Sequence, residues 1–186
     1  MILGITGTIC SGHNAIGKIL IEKGFQRFSL SDYLREEMTK KSIEINRKNM
    51  QDFGDELRKE QGNAILAKIV ISKIEKGKDY IIESIRNPGE VAEFKKLNNF
   101  HLIMVDAPVE ARFKRLLERG RDVDEPKTFE EFLEWEKRDL GIAQPAYGQQ
   151  QKACFALSNK TITNDSTFEE LKEKVEKLLE ELCRKT

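Results

Sequence analysis

The chain carries no surplus of either charge: 32 Lys and Arg are matched by 32 Asp and Glu among 186 residues. A generally basic surface for nucleic acid or an anionic membrane is therefore not expected, and any positive field must be local. No apolar run approaches the roughly 18 residues that a membrane span requires. No basic segment precedes the first apolar run, so a cleavable signal is not expected either. Cysteine is scarce. Cys10, Cys154 and Cys183 are odd in number and far apart, which argues against a disulfide framework or a structural zinc site and fits a reducing, cytoplasmic compartment. Internal repeats and low-complexity linkers are also missing. What remains is an ordinary globular mixture, 39% hydrophobic and 34% charged, in a length suited to one α/β domain over residues 1–186.

Short apolar runs alternate with helical patterns. Ile2 to Thr6 reads as a buried strand ending in glycine, and Ala15, Ile16, Ile19 and Leu20 give helical periodicity closed by Gly24. Phe25 to Leu30 reads as a second strand, after which Ser31 is expected to cap a helix. Asn46 to Lys76 is helical with a break at Gly62-Asn63, and Tyr80 to Glu83 is a third strand. Pro88 opens a helix at a first-turn position, Phe100 to Val105 is a fourth strand, and an arginine-rich helix runs from Val109 to Arg119. Thr128 with Glu131 forms a capping box, Gly141 to Gly148 is a loop, and Gln149 to Leu157 is a helix. A short fifth strand spans Thr161 to Thr163. Ser166 with Glu169 then opens a last helix whose expected core face is Phe168, Leu171, Val175, Leu178, Leu179 and Leu182. Strands alternating with helices predict a five-stranded parallel sheet covered on both faces. The segments 32–76 and 120–141 are longer than simple connections need, and mark where functional lobes could be inserted.

Gly7-Thr8-Ile9-Cys10-Ser11-Gly12 lies between the first strand and first helix. A strand, a glycine turn and a helix start in that order aim backbone N–H groups and a helix dipole at phosphate oxygens. The spacing of Gly7 and Gly12 is that of a Walker A loop, but His13 and Asn14 stand where its lysine and its Ser or Thr belong. The lysine supplies a fixed charge and the hydroxyl a magnesium ligand. A protonated His13 could carry the missing charge, and a rate falling as pH rises through the histidine pKa would then be expected. Lys18 lies more than one helical turn further on and is a poor substitute.

With these residues in place the chain resembles the P-loop kinases of nucleoside monophosphates, and especially the small adenylate kinase-related proteins described as dephospho-CoA kinase-like. The likeness rests on Gly-Ile-Thr-Gly-Thr-Ile-Cys-Ser-Gly at 4–12, Ser-Leu-Ser-Asp-Tyr-Leu-Arg at 29–35 and Ile-Glu-Ser-Ile-Arg-Asn-Pro at 82–88. It continues with Val-Asp-Ala-Pro at 105–108 and Arg-Phe-Lys-Arg-Leu-Leu-Glu-Arg-Gly at 112–120. The resemblance implies a three-layer α/β/α P-loop fold with an acceptor-binding helical insert at 32–76 and a lid at 120–141, hinged near Gly120 and Gly141. It implies ATP as phosphoryl donor and Mg2+ as its companion.

The resemblance also assigns roles. Residues Gly7, Thr8, Ile9, Cys10, Ser11, Gly12, His13 and Asn14 would hold the donor phosphates, with Arg115 beside them. Arg35 and Arg86 would grip the acceptor phosphate, with Arg121 on the lid side. Arg119 and Arg138, with Arg86, would stabilise the transferring group, and Asn14 and Glu83 would hold the metal, Glu83 through water. Asp32 has two readings, a general base toward a hydroxyl acceptor or a residue that orients Arg35 or a sugar.

Blander readings stand beside these. Arg112, Arg115 and Arg119 can be a solvated helix face, Phe132 and Trp135 packing residues, and His101 an ordinary strand residue. Gln149, Gln150 and Gln151 fit either base contacts or a polar helix start. The implied partner is a small-molecule nucleotide, with neither nucleic acid nor membrane; oligomeric state leaves no signal. A nucleoside or deoxynucleoside monophosphate is the expected acceptor, dephospho-CoA the alternative. A slow or non-catalytic nucleotide-binding relative is the reading that His13 and Asn14 favour.

Overall fold

Alternation along each strand decides the architecture. A computed structural model describes residues 1–120 and 125–184. Its strands are β1 (Ile2–Gly7), β2 (Gln26–Ser29), β3 (Tyr80–Glu83), β4 (Phe100–Asp106) and β5 (Lys160–Thr163). Side chains of successive strand residues point to opposite faces. Leu3, Ile5, Ile81, Ile103 and Val105 accordingly join one buried cluster, and Ile2, Tyr80, Ile82, Phe100 and Leu102 the other. Both faces are apolar, so both must be covered.

The covering helices are α1 (His13–Glu22) and α9 (Phe168–Cys183) on the first face, through Ile16, Ile19, Leu20, Leu171 and Val175. The other face is covered by α2 (Leu30–Lys40), α3 (Arg47–Gln61), α4 (Ile65–Ile71), α5 (Pro88–Phe94) and α8 (Gln151–Ala156), through residues such as Leu34, Phe53, Leu66, Val91 and Cys154. Two further helices, α6 (Val109–Arg119) and α7 (Phe129–Leu140), make a small separate cluster around Ile9, Leu116 and Phe132.

The sheet order is β2-β3-β1-β4-β5 and every pairing is parallel. This is a three-layer α/β/α P-loop fold. The chain leaves β1 toward β2 and β3, then crosses from β3 to β4 on the other side of β1. Open parallel sheets bind ligands outside the carboxyl ends of the strands, where the order reverses. That point is the carboxyl end of β1, where residues 7–12 lie.

Several boundaries differ from the sequence reading. The cap of α2 is Ser29, whose Oγ accepts from the Asp32 N–H at 3.3 Å, and not Ser31. The second strand, Gln26–Ser29, begins one residue later and ends one residue earlier than alternation suggested. Thr167, accepting from the Glu170 N–H, caps α9 in place of Ser166. That one-residue shift puts Phe168 at the first helical position, where it is 46% exposed and not part of the core face. The helix expected over Gln149 to Leu157 is α8, confined to Gln151–Ala156. The expected Thr128–Glu131 capping box of α7 is present.

Candidate functional site

At the carboxyl end of β1 the chain turns through residues 8–12 before α1 begins. Gly7 tolerates no side chain: a Cβ there would lie 2.0 Å from the Val105 carbonyl oxygen. Gly12 is the N-cap of α1 with φ 109°, a left-handed conformation that favours glycine. Cys10 is also left-handed, with φ 58°, an uncommon state for a residue with a Cβ and one often found at functional loops.

The loop's carbonyls are tied back from outside. Arg112 donates to the Ile9 carbonyl at 3.4 Å, Arg115 to that of Cys10 at 3.4 Å, and the Asn164 carboxamide to that of Ser11 at 2.8 Å. In a trans peptide the C=O and the following N–H point in opposite directions. Holding the Ile9 and Ser11 carbonyls therefore turns the N–H groups of Cys10 and Gly12 the other way. The first-turn N–H groups of His13 and Asn14 have no partner within the helix. The loop thus presents N–H groups and the positive end of α1, the arrangement that binds phosphate. Thr8 is fixed by donating from Oγ1 to Asp106 at 2.8 Å.

His13 does not supply the missing lysine charge. Its ring lies over the loop, Nε2 3.0 Å from the Ser11 hydroxyl, and faces the cavity. Burial, with the Arg86 guanidinium nearby, lowers its pKa from the ordinary 6.5 to about 4. The ring is therefore held toward its neutral form in the ligand-free protein, contrary to the expectation of a charged His13 at the loop. Cys10 is likewise no reactive thiolate, since burial raises its pKa and Arg119 opposes that only in part.

The loop forms one end of a cavity of about 760 Å³. Among the described residues seven arginines line it, Arg27, Arg35, Arg47, Arg58, Arg86, Arg115 and Arg119, against four carboxylates, Asp32, Glu83, Glu125 and Asp139. The net charge absent from the whole chain is gathered here.

Each expected residue has a definite place. Asp32 and Arg35 lie on α2, where Asp32 accepts from Arg35 at 2.7 Å and from Arg27 at 2.8 Å. Arg27 also donates to Glu83 at 2.7 Å. The other Glu83 oxygen is buried with no hydrogen-bond partner among the described residues, and faces α1 where a Cβ on Gly17 would be 2.4 Å away. Burial raises the Glu83 pKa, and Arg27 counters it. Asn14 is exposed on the cavity wall.

Arg86 follows a tight turn in which Ser84 takes φ 66° and the Ile85 carbonyl accepts from Thr6 on β1 at 2.9 Å. The Arg86 backbone is held from both sides: its N–H donates to Glu90 at 2.8 Å, and its carbonyl accepts from Gln150 at 2.7 Å. Its guanidinium reaches Gln149 at 3.1 Å and Asp139 at 3.6 Å. Burial lowers its pKa and Asp139 opposes this; a guanidinium remains charged throughout the working range.

The arginine helix is not a solvated face. Arg112 is 5% exposed, donates to the Ala107 carbonyl and pairs with Glu136. Arg115 also donates to the Asn164 carbonyl at 2.9 Å, and Arg119 pairs with Glu125. Arg138 does not line the cavity; it donates to Asp52 at 2.6 Å and Asp55 at 3.2 Å on α3. Arg121 lies outside the described residues. Phe132 is fully buried packing, whereas Trp135 also lines the cavity, with the Arg47 guanidinium 4.6 Å above its ring.

Residues that the sequence reading did not single out also belong here, among them Arg27, Arg47, Gln51, Arg58 and Asp139. No local pattern marks them, because each meets its partner across the fold. The Asn87–Glu90 capping box of α5, which steadies Arg86, does have a local signature and was readable.

The comparisons agree with this geometry. A family model described as AAA domain matches residues 3–139, from β1 through α7. A UPF0200 protein from Sulfurisphaera tokodaii is 37% identical over 97% of each chain. The chain belongs to the AAA domain family and to the UPF0200 family. Among solved structures, shikimate kinase from Acinetobacter baumannii, in complex with shikimate, aligns with TM-score 0.59 at 13% identity over 100% of this chain and 94% of its own. Dephospho-CoA kinase from Campylobacter jejuni aligns with TM-score 0.50 at 12% identity over 97% and 96%. At such identities the likeness is one of fold, and the fold is that of small P-loop kinases.

Proposed function

We propose that the chain transfers the γ-phosphoryl group of ATP to a small phosphorylated acceptor, a nucleoside or deoxynucleoside monophosphate. The observation that carries this reading is the union in one cavity of a phosphate-binding loop and an arginine-rich wall. Phosphoryl transfer needs positioning and charge neutralisation more than covalent help. In this reading residues 7–14 hold the donor phosphates through backbone N–H groups. Arg86, close enough to depress the His13 pKa, supplies the cation that the loop lacks. Arg115 and Arg119 approach from α6. Arg138 acts through α3, by tying the lid helix to the acceptor-binding insert at 32–76, rather than by touching the transferring group.

Asp32 supports a phosphate acceptor over a hydroxyl one. Both its oxygens are taken by arginines, so it serves better to orient Arg35 than to remove a proton. A dianionic phosphate also suits paired arginines. Dephospho-CoA, which offers a hydroxyl, is the weaker alternative.

The residues fit magnesium only in a water-mediated role. Magnesium keeps several waters and binds through phosphates and one or two carboxylates. One Glu83 oxygen is held by Arg27 and the other is buried against Gly17 of α1, so Glu83 would serve a bound ion only through water and after release from Arg27, whereas Asn14 offers a neutral oxygen on the exposed cavity wall. When bound, the ion would neutralise charge on the donor phosphates.

Neutral His13 favours a second reading, a slow or non-catalytic nucleotide-binding protein. An assay of transfer from ATP separates the two, with nucleoside monophosphates, deoxynucleosides, dephospho-CoA and shikimate as acceptors, for wild type and His13→Lys/Asn14→Ser. Transfer to a monophosphate by the wild type is the expected result. Transfer to none by either protein would overturn the kinase reading.

A further inference from the structure

Asp139 sits at a junction that its sequence position on α7 does not explain. It is 1% exposed, yet its carboxylate lies on the wall of the cavity. Three donors from two other segments converge on it: Arg47 at 2.5 Å and Gln51 at 2.8 Å, both on α3, and Arg86 at 3.6 Å, just after β3. Trp135 is one helical turn before Asp139 on the same face of α7, so Arg47 meets the helix twice, through the ring and through the carboxylate.

The charges do not balance. Arg47 and Arg86 bring two positive charges, and Asp139 returns one. Nearby Arg58 is already occupied by Glu90 at 2.9 Å and Asp55 at 3.4 Å. A phosphomonoester dianion in place of Asp139 would match both cations, and its oxygens suit the same guanidinium and amide donors. Arg86 is the loosest of the three contacts, beyond hydrogen-bond reach of Asp139, and is therefore the arm most readily transferred to a ligand.

We propose that Asp139 is an internal stand-in for a phosphomonoester, and that the ligand's phosphate takes its place between Arg47 and Arg86. The anion subsite rests on this geometry alone; that the phosphate belongs to the acceptor of the transfer reaction rests on the kinase reading. Arrival of the phosphate releases Asp139 from Arg47 and so loosens α7, while the Arg138 contacts to Asp52 and Asp55 keep the helix attached to α3. Occupancy of the acceptor site is thereby coupled to the position of α7.

Trp135 is the single tryptophan in the chain, so its emission reports on the Arg47 contact in the unmodified protein. The experiment is a titration with ribose 5-phosphate, followed by Trp135 fluorescence and by the shift in melting temperature of each variant against its own ligand-free value. The wild type should show a saturable emission change. Asp139→Asn should bind about tenfold more tightly, because the competing internal state is removed, and Asp139→Ser should show the same direction if the first variant folds poorly. Arg47→Gln should lose the response, and Gly12→Ala, which damages only the phosphate loop, should keep it. No response in the wild type, or equal or weaker binding by the Asp139 variants, overturns the proposal. A response lost in Gly12→Ala but kept in Arg47→Gln places the phosphate in the loop, which overturns the proposal and leaves the kinase reading intact.

Discussion

The two ends of the cavity solve the problem of holding an anion in different ways. The loop end uses backbone N–H groups, fixed by cations that hold the loop carbonyls: Arg112, buried behind the loop, and Arg115, which also lines the cavity. The other end uses guanidinium side chains that face the cavity but are pre-occupied by aspartates, Arg27 and Arg35 by Asp32, and Arg47 and Arg86 by Asp139. A backbone site is set once the fold forms and needs no counter-ion. A side-chain site of several arginines would repel itself without one, so the chain supplies carboxylates that a ligand must outcompete. The loop end should therefore fail through stability and geometry, the arginine end through charge.

The largest effect should come from the brace behind the loop. Arg112→Met leaves Glu136 buried without its partner, a loss of about 3–5 kcal/mol, measurable as a lowered midpoint of urea unfolding. Arg112→Met/Glu136→Leu removes both charges and should recover most of that stability while still weakening ATP binding, because the Ile9 carbonyl stays unheld. Recovery of both together would mean that Arg112 does not shape the loop.

Arg86→Gln should come next, on rate and not on folding. If Arg86 faces the transferring phosphate, loss of its charge lowers kcat by about 10²–10³-fold, read from initial rates at saturating substrate. A change below tenfold would make the arginine end a binding surface only.

The smallest effect is a pH dependence at His13. Its folded pKa of about 4 lies below the ordinary 6.5, so its share of the stability is complete above pH 6.5 and is lost as pH falls toward 4. The melting temperature of wild type should fall over that window by more than that of His13→Gln. Parallel curves would show that the ring is not held neutral. The same neutrality predicts that the transfer rate carries no histidine titration near pH 6.5.

Which parts were legible in the sequence follows the same division. The loop could be read because a glycine turn between a strand and a helix is local, and its function depends on backbone order more than on side chains. The third strand, the Pro88 start of α5 and the Thr128 cap were legible for the same reason. The arginine end was only half legible. Arg35 and Arg86 stood out in motifs, but Arg47 and Asp139 are 92 residues apart and meet only in the folded chain. A solvated face stays open for Arg112 in the sequence because helical periodicity reports which face is polar, and cannot show that a guanidinium crosses to a loop carbonyl 103 residues earlier. His13 was read as a possible cation because its protonation depends on burial and on Arg86, neither of which is a property of its neighbours in sequence.

The central claim is that the loop binds the phosphates of ATP through its backbone, without a lysine. Calorimetric titration of MgATP into wild type, Gly12→Ala and His13→Ala tests it most directly. A Cβ at Gly12 would be strained at φ 109° and would lie 2.1 Å from the Asn164 side chain, whereas shortening His13 leaves the N–H groups in place. One saturable site in the wild type, lost in Gly12→Ala and kept within about tenfold in His13→Ala, is the predicted result. Absence of binding by the wild type, or binding that survives Gly12→Ala and disappears in His13→Ala, would contradict it.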